Sequence, residues 1–402
     1  MSPSPDQTTA THAPRPTWLG DALTMLALTL LAFGVVMVYS SSSIRMELKT
    51  SDATVYLRRQ LLWVTLAGIV FILARATEAA QLRRLAPLLF WGTVALLVLV
   101  LIPGVSRDIK GARRWLSFGG MNFQPSELAK LAMIVQLAML LELRRDRLGD
   151  FRQGFLKIIV PIALLAGLVI VEPDFGSALL LSAVGGAMLL VAGARLRHLL
   201  LLAGPGAVAL VMLVLYKGAH VRQRLEAFFD PSADPNGVSY QVRQAIIALG
   251  SGGLWGQGLG ASKQKRLFLP DVHTDFIFAL VGEELGFVGA VVMILLYAAL
   301  LGLGFYAALK ARDRFSSYVA FGIVLCFGLQ TCINIAVATG SVPPKGIALP
   351  LVSFGGSSLI LCAASLGLLV NIANSGRVAT EIPVSAAPSR GEVVRHGRDV
   401  PA

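Results

Sequence analysis

Runs of about 20 apolar residues recur along this chain, each long enough to cross a hydrocarbon core of roughly 30 Å as a helix. That recurrence selects an all-α polytopic membrane protein. Residue usage agrees, with 55% apolar and 14% charged residues and a mean hydropathy of +0.71, outside the range of soluble globular domains. Ten spans are predicted, at approximately 18–41, 56–75, 86–103, 125–143, 157–172, 175–193, 198–216, 275–308, 317–339 and 356–375.

Charge orients the spans. With the N-terminus inside, Arg83 and Arg84, the RRDR run 144–147, Arg195 and Arg197, and Lys310, Arg312 and Arg314 fall in short cytoplasmic connections, as the positive-inside rule requires. Both termini are then cytoplasmic. Residues 1–17 are polar and Pro-rich, without the pattern of a cleaved signal peptide. They are expected to be disordered, as is the tail 376–402, around a membrane domain 18–375 with a large extracytoplasmic loop at 217–274. The formal charge of +12 therefore does not point to nucleic acid. Cys326, Cys332 and Cys362 all lie in apolar segments and read as small hydrophobes rather than disulfide or metal partners.

Two outer connections break the charge rule. Loop 104–124 holds Arg107, Lys110, Arg113 and Arg114, and the long loop holds Lys217, Arg222, Arg224, Arg243, Lys263, Lys265 and Arg266. Such cations are solvated, pair with lipid headgroups, or bind an anionic ligand, most naturally a phosphate-bearing one. Within the long loop, FDPSADPNG is turn-rich. VSYQVRQAIIALG places Val238, Val242, Ile246 and Leu249 on one face of an amphipathic helix expected on the membrane surface. GSGGLWGQGLG lacks both a preceding strand and the G-x-G-x-x-G spacing, so a glycine-rich turn near a lipid headgroup is expected rather than a nucleotide loop.

The stretch LPDVHTDFIFALVGEELG, 269–286, carries the chemistry. Asp275 follows Thr274 at the start of the eighth span, where it suits a helix N-cap. It equally suits a carboxylate that holds a divalent cation on pyrophosphate or takes a proton from a sugar hydroxyl, with His273 tuning its charge. Glu283 and Glu284 lie about 12 to 13 Å further along a helix rising 1.5 Å per residue. Intramembrane acids are costly and face protein or a wet cavity. Glu127 and Lys130 in QPSELAK share a helix face at i, i+3 and are expected as their partners, either locking helices together or lining a cavity for a lipid-linked headgroup. Glu172 and Asp174 add two acids on the same outer side. Trp115, beside Arg114, suits an interfacial anchor. The Gly-, Pro- and Ser-rich stretch from Ser341 to Leu359 suits a re-entrant loop, tolerated at membrane depth only against protein or water.

GARRW at 111–115, QPSELAK at 124–130, EPDFGS at 172–177, LPDVHTDFIFALVGEELG at 269–286 and PPKGIALPLVSFGGSSL at 343–359 together resemble the SEDS proteins (shape, elongation, division and sporulation), in the family's order. The resemblance implies ten transmembrane helices with a large extracytoplasmic loop between the seventh and eighth. It also implies polymerisation of lipid II, releasing undecaprenyl pyrophosphate, at the outer face of the bacterial cytoplasmic membrane. The implied partner is a class B penicillin-binding protein transpeptidase among other division proteins. Gln264 and Lys265, with Lys345 in PPKG, are closer to the cell-division branch than to the elongation branch. The resemblance makes Asp275 the essential carboxylate. It makes Arg114, Trp115, Glu127, Lys130, Lys265, His273, Lys345 and Ser353 candidate substrate contacts, and Glu172, Asp174, Glu283 and Glu284 a cavity or structural network. A divalent cation, Mg or Mn, at Asp275 is the one cofactor considered. Phe175, Ser177 and Phe354 stand where many members have Leu, Thr and Tyr. A lipid II flippase, an elongation polymerase and a silent scaffold for the transpeptidase are the rival expectations.

Overall fold

A computed structural model of the chain describes residues 18–50, 54–109, 112–118, 121–201, 238–262 and 274–375, with 52, 204, 206, 211, 212, 226, 228, 229 and 264 as isolated positions. The expectations for the two tails, for most of the seventh span, for nearly all of FDPSADPNG, and for Lys265 and His273 lie outside those residues.

Among the described residues the order is α1 (Trp18–Thr50), α2 (Val55–Ala76), α3 (Ala79–Leu101), β1 (Ser106–Ile109), β2 (Ala112–Phe118), β3 (Met121–Phe123), α4 (Pro125–Leu143), α5 (Leu156–Val171) and α6 (Phe175–Val191). There follow α7 (Val238–Ser251), α8 (Ile277–Lys310), α9 (Arg314–Ala338) and α10 (Gly356–Ser375). Seven of these helical stretches are long and apolar enough to cross a membrane: Trp18–Ser43, Val55–Ala76, Ala79–Leu101, Phe151–Val171, Ile277–Lys310, Arg314–Ala338 and Gly356–Ser375. α6 is apolar but shorter, and α4 carries Glu127, Lys130 and Glu142.

Local chemistry sets the helix ends. Glu78 and Gln81 form a reciprocal capping box at α3. Pro125 opens α4, where its missing N–H costs nothing. Asp174 and Asp313 accept the Ser177 and Ser316 amides at the starts of α6 and α9.

The bundle is layered by polarity of surroundings. α4 runs through the interior, buried continuously from Ala129 to Ala138, and packs against α3, α5, α6, α9 and α10. On the outside, α2 exposes Leu61, Leu62, Ile69, Ile72 and Leu73, and α8 exposes Phe287, Val292 and Leu295. Those faces have the apolar surface that lipid solvates. At the arginine-rich end, Arg83 reaches Glu142 at 2.9 Å and Asp313 at 3.6 Å and lies over the Phe315 ring, tying α3, α4 and α9 together.

Two features depart from the sequence expectation. The loop 104–124 contains a three-stranded antiparallel sheet in order β1-β2-β3, with Arg107 opposite Trp115 and Leu116 opposite Phe123. α8 is broken: Gly286 has φ 70° and ψ −167°, so two helical segments meet there. α7 packs on α8 and α9, burying Ser239, Ala245 and Ala248, with Val242 and Ile246 of its predicted apolar face against Gly340. Small residues allow this close approach, which brings Leu249 against Gly282.

The glycine-rich stretch that follows α7 has a structural job. It lies in the break of α8: Gln257 and Gly258 donate backbone bonds to Glu283 O and Glu284 O at 3.0 Å, and Phe287 and Val288 donate back to Gly253 O and Leu254 O. A Cβ at Gly256 or Gly286 would collide with the backbone of the other segment. The broken turn's orphaned backbone groups are thereby satisfied by protein, the condition for irregular backbone inside a membrane domain.

Candidate functional site

Four connections converge at the end of the bundle that carries the sheet. Arg114, on β2, donates from Nε to Glu172 O at 3.0 Å and from Nη2 to Pro173 O, binding the sheet to the α5–α6 turn. Gln124, at the end of the sheet, donates its backbone N–H to Ser357 Oγ at the start of α10 (3.3 Å) and its side-chain amide to Asp174 (3.3 Å). These bonds make Arg114 a tether between elements. Trp115 is half-buried beside it.

Asp275 lies in the turn 274–276 just before α8 and is half-buried. Phe276 is the N-cap of α8 and no side chain caps that helix, so the helix-cap expectation for Asp275 is not met. The loop 341–355 wraps this turn. Ser353 Oγ donates to Thr274 O at 2.6 Å and accepts from Leu349 N at 2.9 Å. Asn334, on α9, donates both to Asp275 O at 3.0 Å and to Ile347 O at 2.8 Å. Gly346 is held so close that a Cβ on it would lie 3.2 Å from Asp275 Oδ2. Tyr297 on α8 secures the loop's far side through Pro350 O at 2.5 Å. Lys345 is half-buried on the same loop. Ser353, expected as a substrate contact, is buried and bonded to backbone on both sides.

Glu127 and Lys130 pair with each other at 2.8 Å in the first turns of α4, with side chains only 13% and 10% exposed. The predicted link from this pair to Glu283 and Glu284 is absent among the contacts of the described residues. Glu283 is 1% and Glu284 0% exposed. Glu283 accepts from Ser262 Oγ and from Gln264 N at 3.4 Å, and Glu284 accepts from Ser40 Oγ on α1 at 2.7 Å. Among the described residues, Ser40, Ser262 and the Gln264 N–H, and not the α4 ion pair, bond these two carboxylates.

The acids of the α5–α6 turn divide sharply. Asp174 is saturated: it accepts from Ser177 N (3.2 Å), Ser177 Oγ (2.8 Å), Gln124 and Ser126. Glu172 is fully buried, and neither carboxyl oxygen has a hydrogen-bond partner. Burial first, and the neighbouring Asp174 second, push its pKa up to about 8 against the opposing pull of Arg114.

No three His, Cys, Asp or Glu side chains come together to hold a metal among the described residues. The supporting residues Ser40, Ser262, Tyr297 and Asn334 escaped sequence reasoning. Asn334 did leave a signal, as one of two amides, with Gln330, in an apolar span, where an unmatched polar side chain is expensive.

Residues 21–378 match the FtsW/RodA/SpoVE family model, described as cell cycle protein. Over 355 residues the chain is 42% identical to a probable peptidoglycan glycosyltransferase FtsW of Geobacter sp. (strain M18), covering 88% of this chain and 96% of that one. Stage V sporulation protein E of Bacillus subtilis (strain 168) is 38% identical over 355 residues, 88% of this chain and 97% of that one. Rod shape determining protein RodA of Thermus thermophilus has a solved structure that matches with a TM-score of 0.64 at 31% identity, covering 87% of this chain and 95% of that one. A chain from a peptidoglycan synthase complex, solved to explain how polymerization and crosslinking are coordinated, matches with a TM-score of 0.71 at 31% identity over 87% and 96% of the two chains.

Proposed function

Since the chain belongs to the FtsW/RodA/SpoVE family of cell cycle proteins, we propose that it is a peptidoglycan glycosyltransferase that polymerises lipid II for the septal wall. In this reading the sheet end of the bundle faces outward from the cytoplasmic membrane, both termini are cytoplasmic, and a class B penicillin-binding protein crosslinks the product. The relatives named as probable glycosyltransferases support the activity. The match to a chain from a synthase complex supports the partnership.

One observation carries the assignment of the reacting carboxylate. Asp275 is held at the mouth of α8, outside the helix cap, with the Gly346 backbone against one side of its carboxylate. The terminal N-acetylglucosamine 4-hydroxyl of one lipid II attacks the anomeric carbon of the other. The new C–O bond forms as the bond to pyrophosphate breaks, with inversion, and Asp275 takes the hydroxyl proton. A divalent cation carried on the pyrophosphate would neutralise charge growing on the leaving group. The Glu127–Lys130 pair supplies a fixed dipole at the start of α4, and Arg114 holds the sheet on the α5–α6 turn.

The test is reconstitution. Purified protein with its transpeptidase partner, magnesium or manganese, and lipid II is expected to give glycan polymer resolved by gel. Movement of labelled lipid II across proteoliposomes without any polymer would overturn this reading in favour of a flippase.

A further inference from the structure

We propose that Asn334 is a positioning residue that fixes the distance between the Gly346 backbone and the Asp275 carboxylate; the idea rests on the reading of Asp275 as the reacting group. Asn334 is 1% exposed, inside α9. Its amide nitrogen has two hydrogens and gives one to each of two carbonyls from separate segments, Asp275 O and Ile347 O. Ile347 directly follows Gly346, so the pair of bonds sets where Gly346 stands against the carboxylate.

The geometry requires an asparagine. Its Oδ1 is buried and has no hydrogen-bond partner, so a flipped amide would turn an oxygen toward two oxygens. An ionised Asp could not donate at all, and a leucine of similar size would leave both carbonyls unmatched. Ser353 ties the same two segments through Thr274 O and Leu349 N. Loss of Asn334 therefore loosens the contact without releasing the loop, and the variants remain folded.

The experiment compares parent, Asn334→Leu and Asn334→Asp in lipid II polymerisation with the transpeptidase partner, alongside hydrogen exchange of the same samples. For Asn334→Leu, kcat is expected to fall by about tenfold or more, within the range that misplacement of a reacting group costs, while KM stays within about twofold. Asn334→Asp is expected to regain rate as pH falls and its carboxyl becomes a donor, relative to the parent at each pH. Amides of 346–353 and 275–277 should exchange faster in Asn334→Leu. Parent-like kcat and exchange in Asn334→Leu would overturn the proposal. If the parent itself makes no polymer, the reading of Asp275 fails, and exchange alone decides whether Asn334 holds the loop: unchanged protection refutes it.

Discussion

Asp275 and the Glu283–Glu284 pair lie within one short stretch of chain, yet their surroundings assign them opposite work. Asp275 is half-buried in a turn, bracketed by backbone from another loop, and does not cap its helix. Glu283 and Glu284 are enclosed at a helix break, bonded to serines from other segments and flanked by glycine backbone. An acid can meet a reacting group where it is only half-buried in a turn, as Asp275 is. It becomes a strut where burial makes every bond to it costly to lose.

The contrast breaks most visibly at Gly286. Its backbone angles are essentially reserved for glycine, and an added Cβ would strike Gly256 N and Leu254 O. Gly286→Ala should therefore cost more than the roughly 1–3 kcal/mol of backbone strain alone, seen as a large fall in melting temperature in detergent. A parent-like melt would mean that the break is dispensable. Next comes Glu284→Ala, which removes the buried 2.7 Å bond from Ser40; about 1–3 kcal/mol of stability should be lost, the range for a buried hydrogen bond to a charged group. Polymerisation per folded molecule should fall less for Glu284→Ala than for any change at Asp275.

A pH dependence of stability is expected from Glu172. Its buried carboxyl holds a proton up to a pKa of about 8, where an unperturbed one releases it near 4.5. The folded state thus binds more protons than the unfolded state between those values. Stability should decline as pH rises across that window and level off above it. Glu172→Gln, an uncharged mimic of the protonated acid, should remove this slope from melting curves recorded at several pH values. An unchanged slope would mean that Glu172 is not its source.

Much of the bundle is legible in the sequence because apolar length and helix-end chemistry are local. α4 and α10 occupy the residues predicted for them, with Pro125 opening the first. The sheet was legible in principle: Ile109 pairs with Ala112 and Phe118 with Met121, around the two-residue connections Lys110-Gly111 and Gly119-Gly120. The many charges of that segment obscured the hairpin signal. The break in α8 was not legible, since an apolar run with one more glycine reads as continuous helix. It is set by tertiary contact with residues 253–258. Likewise, an i, i+3 pattern puts Glu127 and Lys130 on one face, but cannot say that they choose each other over Glu283 and Glu284. Partner choice among buried charges depends on distances that only the packed helices fix.

The most direct measurement is the initial rate of lipid II polymerisation by Asp275→Asn, with its transpeptidase partner, divided by that of the parent, with melting temperatures taken on the same preparations. Asparagine keeps the size of the side chain but removes the base and the charge. A loss of about 10²-fold or more, in the range that general-base removal costs, together with a parent-like melt, is the expected result. Polymer formed at the parent rate by Asp275→Asn would contradict the account.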